Sequence, residues 1–157
     1  MWMKVGQQAR ILTPNNWNRY FSVFGVLNPL NGETIFKIFD RKNGKNFINF
    51  LELLLKTYPI DIYLVVDRAT YHRSEVVKEW LAKNIQIHLI YLPPKSPRLN
   101  PMEDIWRWLK GSVAANRTYT DLEPLKQGCR ENLSSLTLDD ALKIAGLTSQ
   151  KRGQIFW

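Results

Sequence analysis

The chain has 157 residues, 45% of them hydrophobic, which is enough for a true core and excludes a disordered segment. Its single cysteine, Cys129, excludes an internal disulfide or a cysteine metal site. Lys and Arg number 22 against 14 Asp and Glu, giving a formal charge of +8 and a pI near 9.7; this favours an anionic partner, with nucleic acid the default.

A membrane surface is the alternative anionic partner, but no long apolar span or basic amphipathic helix supports it. With no signal-peptide pattern, the expected compartment is the cytoplasm.

Met1–Thr13 reads as an irregular or weakly extended lead. Tyr20–Leu27 (YFSVFGVL) and Thr34–Phe39 (TIFKIF) predict a hairpin around Asn28-Pro29-Leu30-Asn31-Gly32, where Asn-Gly is the turn signal. Lys45–Tyr58 is predicted helical, because Phe47, Ile48, Leu51, Leu54 and Leu55 recur at helical spacing. Residues 60–66 are short, apolar and β-branched, which predicts a buried strand. A helix over 74–83, a strand over 85–92 and a helix over 101–113 follow. Thr120–Leu133 and Leu138–Ala145 complete the helices, with Thr120 and Thr137 as their expected caps. No repeat or linker interrupts the chain, so residues 1–148 are expected to form one domain, with 149–157 as a detachable tail.

The most informative stretch is 92–110, LPPKSPRLNPMEDIWRWLK. Pro93, Pro94 and Pro97 keep the backbone extended and deny it ladder hydrogen bonds. Asn100-Pro101 then opens a helix, asparagine as the cap and proline at its first position. Glu103 falls in the first turn, where it fits two roles: half of a capping box, or a metal ligand at the mouth of a DNA-binding surface. Asp67 is similarly double. It suits a turn or a helix cap, yet it ends a strand in an α/β order, where ligands gather.

Taken together, the two segments resemble the DDE transposases, in the bacterial and archaeal insertion-sequence branch of the mariner-like superfamily. That family carries a strand ending in Asp-Asn, a nearby His, and a Leu-Pro-Pro-Tyr-Ser-Pro-x-Leu-Asn-Pro-Ile-Glu-x-x-Trp signature. The matching residues are Asp67, His72, Leu92, Pro93, Pro94, Ser96, Pro97, Leu99, Asn100, Pro101, Glu103 and Trp106. The similarity runs from about Trp2 to Leu136. It implies a ribonuclease H-like mixed α/β sheet flanked by helices, with Asp67 and Glu103 as catalytic ligands of Mg²⁺ or Mn²⁺. It also implies double-stranded DNA at transposon terminal repeats as substrate, in a prokaryotic, nucleoid-associated setting. A second copy of the chain or an upstream transposase polypeptide is the implied protein partner.

Three positions depart from the pattern: Arg68 stands for asparagine, Lys95 for tyrosine and Arg98 for an acid. Arg68 brings positive charge beside the expected cation. The larger departure is at the start, where Trp2 and Gly6 look like the segment that follows the family's first acid-bearing strand. The first Asp, the central first strand and any N-terminal DNA-binding domain are therefore expected to be missing. Glu33, Asp40 and Asp61 are poorly placed to substitute. Two acids could hold one ion weakly, whereas two-metal cleavage needs a poised pair.

Among the remaining residues, His72 suits either assistance near a phosphate or a structural turn. At least one of Trp106 and Trp108 is expected in the core. Lys95, Arg98, Arg107, Lys110 and Arg117, with Lys126 and Arg130, are candidates for DNA phosphates or plain solvated faces. The functions left open are the catalytic portion of a cut-and-paste transposase, a remnant that binds DNA or full-length transposase without cleaving, and another ribonuclease H-like nuclease. The long signature disfavours the last.

Overall fold

The computed structural model describes residues 20–94, 96–114, 119 and 121–147. The expectations on Met1–Thr13, on Lys95, Arg117 and Thr120, and on the 149–157 tail lie outside the described residues.

Strands β1 (Ser22–Leu27) and β2 (Thr34–Phe39) form the expected antiparallel hairpin, with Ser22 opposite Phe39 and Leu27 opposite Thr34. Its turn closes through Asn28 N–H on the Glu33 carbonyl at 2.8 Å and Gly32 N–H on the Asn28 carbonyl at 2.9 Å. Gly32 sits at φ +83°, and a Cβ there would lie 2.2 Å from the Leu138 carbonyl oxygen, so only glycine fits. The hairpin is apolar on both faces. Phe24, Val26, Ile35 and Phe39 pack on one side, and Val23, Phe36 and Ile38 on the other. A sheet with two apolar faces needs a layer of helices on each.

Helix α1 (Gly44–Thr57) covers the first face. Asn43 caps it, its side-chain oxygen accepting from Asn46 N–H at 2.8 Å. Phe47, Phe50, Leu51 and Leu54 form its buried stripe, with Ile48 and Leu55 at the margins. The same stripe supports a second, parallel pair, β3 (Ile62–Val66) and β4 (Ile87–Tyr91), joined by α2 (Glu75–Lys83). Helix α1 therefore bridges two ladders, which no hydrogen-bonded strand joins among the described residues. Truncating Leu51 or Leu54 to alanine would cost about 2–5 kcal/mol in such a packed site.

One expectation needs correction here. Strand β3 is not buried on both faces: Ile62, Leu64 and Val66 turn towards α1, while Tyr63 and Val65 remain 67% and 53% exposed. Ile60 lies outside the strand and is exposed. The physical reason is that the helices described here cover β3–β4 on one side alone, so its side chains alternate.

Helices α3 (Met102–Ala114), α4 (Leu122–Ser134) and α5 (Leu138–Ile144) cover the second hairpin face. Ile105, Leu109, Val113, Cys129, Leu133 and Ala141 are buried between them. Both Trp106 and Trp108 pack against this core, Trp106 edge-on to Phe36 at 6.0 Å. Gly25 permits that seat, since a Cβ there would meet Phe36 at 2.5 Å and Trp106 at 2.7 Å. Thr137 caps α5 as expected, its hydroxyl accepting from Asp140 N–H at 3.2 Å. The cap of α4 is Asp121, with its carboxylate accepting from Leu122 N–H at 2.7 Å.

The architecture is the expected one, a mixed α/β arrangement of small sheets flanked by helices. Its effect on function is local. The parallel β3–α2–β4 unit brings two strand ends, and the segments that follow them, to the same edge of the molecule.

Candidate active site

Asp67 follows the last residue of β3. Its Oδ1 accepts from Ala69 N–H at 3.0 Å, so the turn role is real. The same oxygen lies 3.0 Å from His72 Nδ1, which is also 3.1 Å from the Asp67 carbonyl oxygen. Both neighbours are acceptors, which assigns the hydrogen to Nδ1. His72 sits in a 3₁₀ turn, Thr70–Arg73, that has no periodic sequence signal. It is buried, with its ring 4.4 Å from Phe47 and 4.2 Å from Tyr71.

Burial pushes the His72 pKa below its ordinary value, with the Asp67 interactions opposing and nearby Lys42 assisting. The imidazole is therefore neutral near pH 7. Burial, and then the Asp67 charge, push the Tyr71 phenol well above its usual range. The Asp67 carboxylate itself is half exposed, anchored from below through one oxygen.

Glu103 stands in the first turn of α3. Asn100 caps this start, with its side-chain oxygen accepting from Met102 N–H at 3.1 Å. The reciprocal bond of a capping box is not made. Among the described residues no hydrogen bond or ion pair engages the exposed Glu103 carboxylate. The asparagine does the capping, and the glutamate is left available.

The two acids meet on one open cleft of about 210 Å³, lined by Asp67, Arg68, Leu92, Pro93, Pro94, Ser96, Asn100 and Glu103. Residues 68–102, 35 in all, separate them in the chain. They converge because the chain leaving β4 runs past the end of β3: Leu92 N–H donates to the Val66 carbonyl at 2.9 Å. Arg68 Nε in turn donates to the Leu92 carbonyl at 2.9 Å. The proline-rich segment then delivers α3 with its first turn at the cleft.

Comparison with known proteins gives the family in which this cleft sits. Residues 1–126 match the family described as DDE superfamily endonuclease. The chain belongs to that family. It is 28% identical over 138 residues to the insertion element IS630 uncharacterized 39 kDa protein of Shigella sonnei, covering 87% of this chain and 40% of that protein. It is 35% identical over 109 residues to the transposable element Tc3 transposase of Caenorhabditis elegans, covering 66% of this chain and 32% of that one. The chain thus spans well under half the length of either relative.

Enzymes of this family use divalent metal ions, and the donor set of the cleft suits them. Its ligands are hard oxygens, two carboxylates with the Ser96 and Asn100 side chains nearby. Among the described residues no group of three or more His, Cys, Asp or Glu gathers to hold a metal ion. The residues fit a single cation held by two carboxylates, with water and phosphate completing its shell. Glu33, Asp40 and Asp61 do not line the cleft. Glu33 bonds Asn31 and Tyr58, Asp40 accepts from Asn46, and Asp61 stands 4.0 Å from His88.

The basic candidates fall into two groups. Glu103, Arg107 and Lys110 are spaced i, i+4, i+7 and all exposed, so a basic stripe runs back from the cleft along α3. Arg98 is exposed on the 3₁₀ turn just before it. Arg107 is paired with Asp104. On α4, Lys126 is paired with Glu123 at 2.6 Å and Arg130 bonds Gln127 at 3.4 Å. The Arg68–Leu92 strap was not visible in the sequence, since no local pattern links residues 24 apart. No helix among the described residues is long and apolar enough to cross a membrane.

Proposed function

We propose that this chain is the portion of a cut-and-paste DNA transposase that carries the second and third acids of its catalytic site. Its reaction is metal-dependent cleavage and strand transfer at transposon ends, on double-stranded DNA in the prokaryotic nucleoid. The observation that carries this reading is the shared cleft of Asp67 and Glu103. Asp67 offers a carboxylate oriented by His72 and the Ala69 amide, and Glu103 offers one with no other engagement among the described residues. A divalent cation bound there supplies activation of water and stabilisation of the leaving oxygen. Arg98, Arg107 and Lys110 extend the surface in a direction that suits a phosphate backbone. Lys95 and Arg117 are phosphate candidates from the sequence alone.

We further propose that the first acid comes from outside these 157 residues, on an upstream segment or a separate polypeptide that completes the sheet beside β1 and β3. Two carboxylates hold one cation, and strand cleavage of this kind uses two held about 3.5–4 Å apart. The chain alone should then give negligible Mg²⁺-dependent cleavage of transposon-end DNA. Supplying the upstream strand with its Asp should give cleavage that Asp67→Asn or Glu103→Gln abolishes. Cleavage by the unextended chain, lost on Asp67→Asn, would place the first acid inside it, and Asp40 would be the first to test.

A further inference from the structure

Arg68 occupies the position where the family pattern has asparagine, and its side chain is held in place. Nε donates to the Leu92 carbonyl at 2.9 Å, across the mouth of the β3–β4 pair. Its own carbonyl accepts from Arg73 Nη2 at 3.3 Å, which fixes the backbone from the other side. One N–H of the guanidinium is thereby tied, and its plane is set. Among the described residues no hydrogen bond or ion pair engages the two terminal nitrogens.

The side chain nevertheless lines the same cleft as Asp67 and Glu103. Two acids and an arginine share this small opening without forming an ion pair within 4.0 Å. An arginine meant to neutralise a carboxylate would make the bidentate contact that its fork favours. This one is held short of that contact, its paired donors free for an anion from outside.

Charge accounting points the same way. The two carboxylates match one divalent cation, and a phosphodiester entering the cleft then brings one negative charge, for which Arg68 is the cation among the described residues that line the cleft. We infer that the Arg68 terminal nitrogens bind a non-bridging phosphate oxygen of the DNA strand lying in the cleft. Arg68 is then a phosphate-positioning residue, doing with a fixed cation part of what a second metal ion would do. The inference rests on the proposed DNA-cleaving function of the same cleft.

The test uses the full chain with a labelled DNA duplex in Mg²⁺ across a salt series, and Mn²⁺ titration in the absence of DNA. Arg68→Asn should weaken duplex binding by about tenfold at low salt, the effect of losing a charge-assisted pair of hydrogen bonds. It should also reduce the slope of log K against log salt by about one. Its Mn²⁺ affinity should rise, because a positive charge leaves the site. Arg68→Lys should keep the salt slope while losing part of the affinity, since it keeps the charge without the fork.

Wild-type affinity and slope in Arg68→Asn would overturn the inference and leave the DNA reading standing. So would a parallel fall in DNA affinity, Mn²⁺ affinity and melting temperature, which would make the residue only a strap on Leu92. No duplex binding by the wild type would remove the DNA reading and this inference with it.

Discussion

His72 Nδ1 lies 3.0 Å from Asp67 Oδ1, with the imidazole buried and the carboxylate half exposed. The pair joins the core to the cleft. Phe47 and Tyr71 hold the ring, the ring holds one oxygen of Asp67, and the carboxylate reaches the opening where Glu103 stands. On the proposed function, a histidine so placed would orient a metal ligand without touching the substrate, as outer partners of metal ligands commonly do.

That role makes two substitutions diverge. His72→Phe keeps a ring between Phe47 and Tyr71 but releases Asp67, and should lower Mn²⁺ affinity by roughly tenfold. His72→Asn can place its amide N–H near the position of Nδ1, and should retain most of that affinity despite packing less well. Calorimetric Mn²⁺ titration of the two variants checks the order. Equal affinities would show that the histidine only fills space.

The neutral, buried His72 also sets a pH dependence. Its folded pKa is lowered from the usual 6.5, mainly by burial. As pH falls through about 6.5, the unfolded chain takes up a proton there that the folded chain does not, so unfolding is favoured. The stability from this group is complete above that pH and declines as pH drops towards the lowered folded value. Urea midpoints between pH 7.5 and 5.5 should fall for the wild type, and fall less for His72→Phe. Identical pH profiles would remove His72 as the cause.

Gly25 offers a test of how the hairpin supports the site. A methyl group at this position would collide with Phe36 and Trp106, and Trp106 lies on the helix that presents Glu103. Gly25→Ala should destabilise the fold by about 1–3 kcal/mol, the usual cost of overpacking. Trp106→Leu in the same background should recover part of that loss by making room. Chemical denaturation of both variants decides it, and a Gly25→Ala chain as stable as wild type would contradict the packing described.

Much of this was legible in the sequence because its signals are local. The Asn31-Gly32 turn signal gave the hairpin, the Phe47–Leu51–Leu54 spacing gave α1, and Asn100-Pro101 gave the start of α3. What escaped depends on contacts distant in the chain. The 3₁₀ turn at Thr70–Arg73 exists because Phe47 and Tyr71 enclose His72, which no four-residue pattern announces. Asp67 and Glu103 were paired through a family signature; their shared cleft follows from the parallel register of β3 and β4.

The measurement closest to the central claim is Mn²⁺ binding by the full chain and by three variants, Asp67→Asn, Glu103→Gln and the double substitution. If the two carboxylates hold one ion, the wild type binds one Mn²⁺ weakly and each single variant loses about tenfold or more. The double variant should then be little worse than either single, because residues serving one ion are strongly non-additive. Loss from only one of the single variants, independent losses that multiply in the double, or undiminished binding in all three would contradict a shared site.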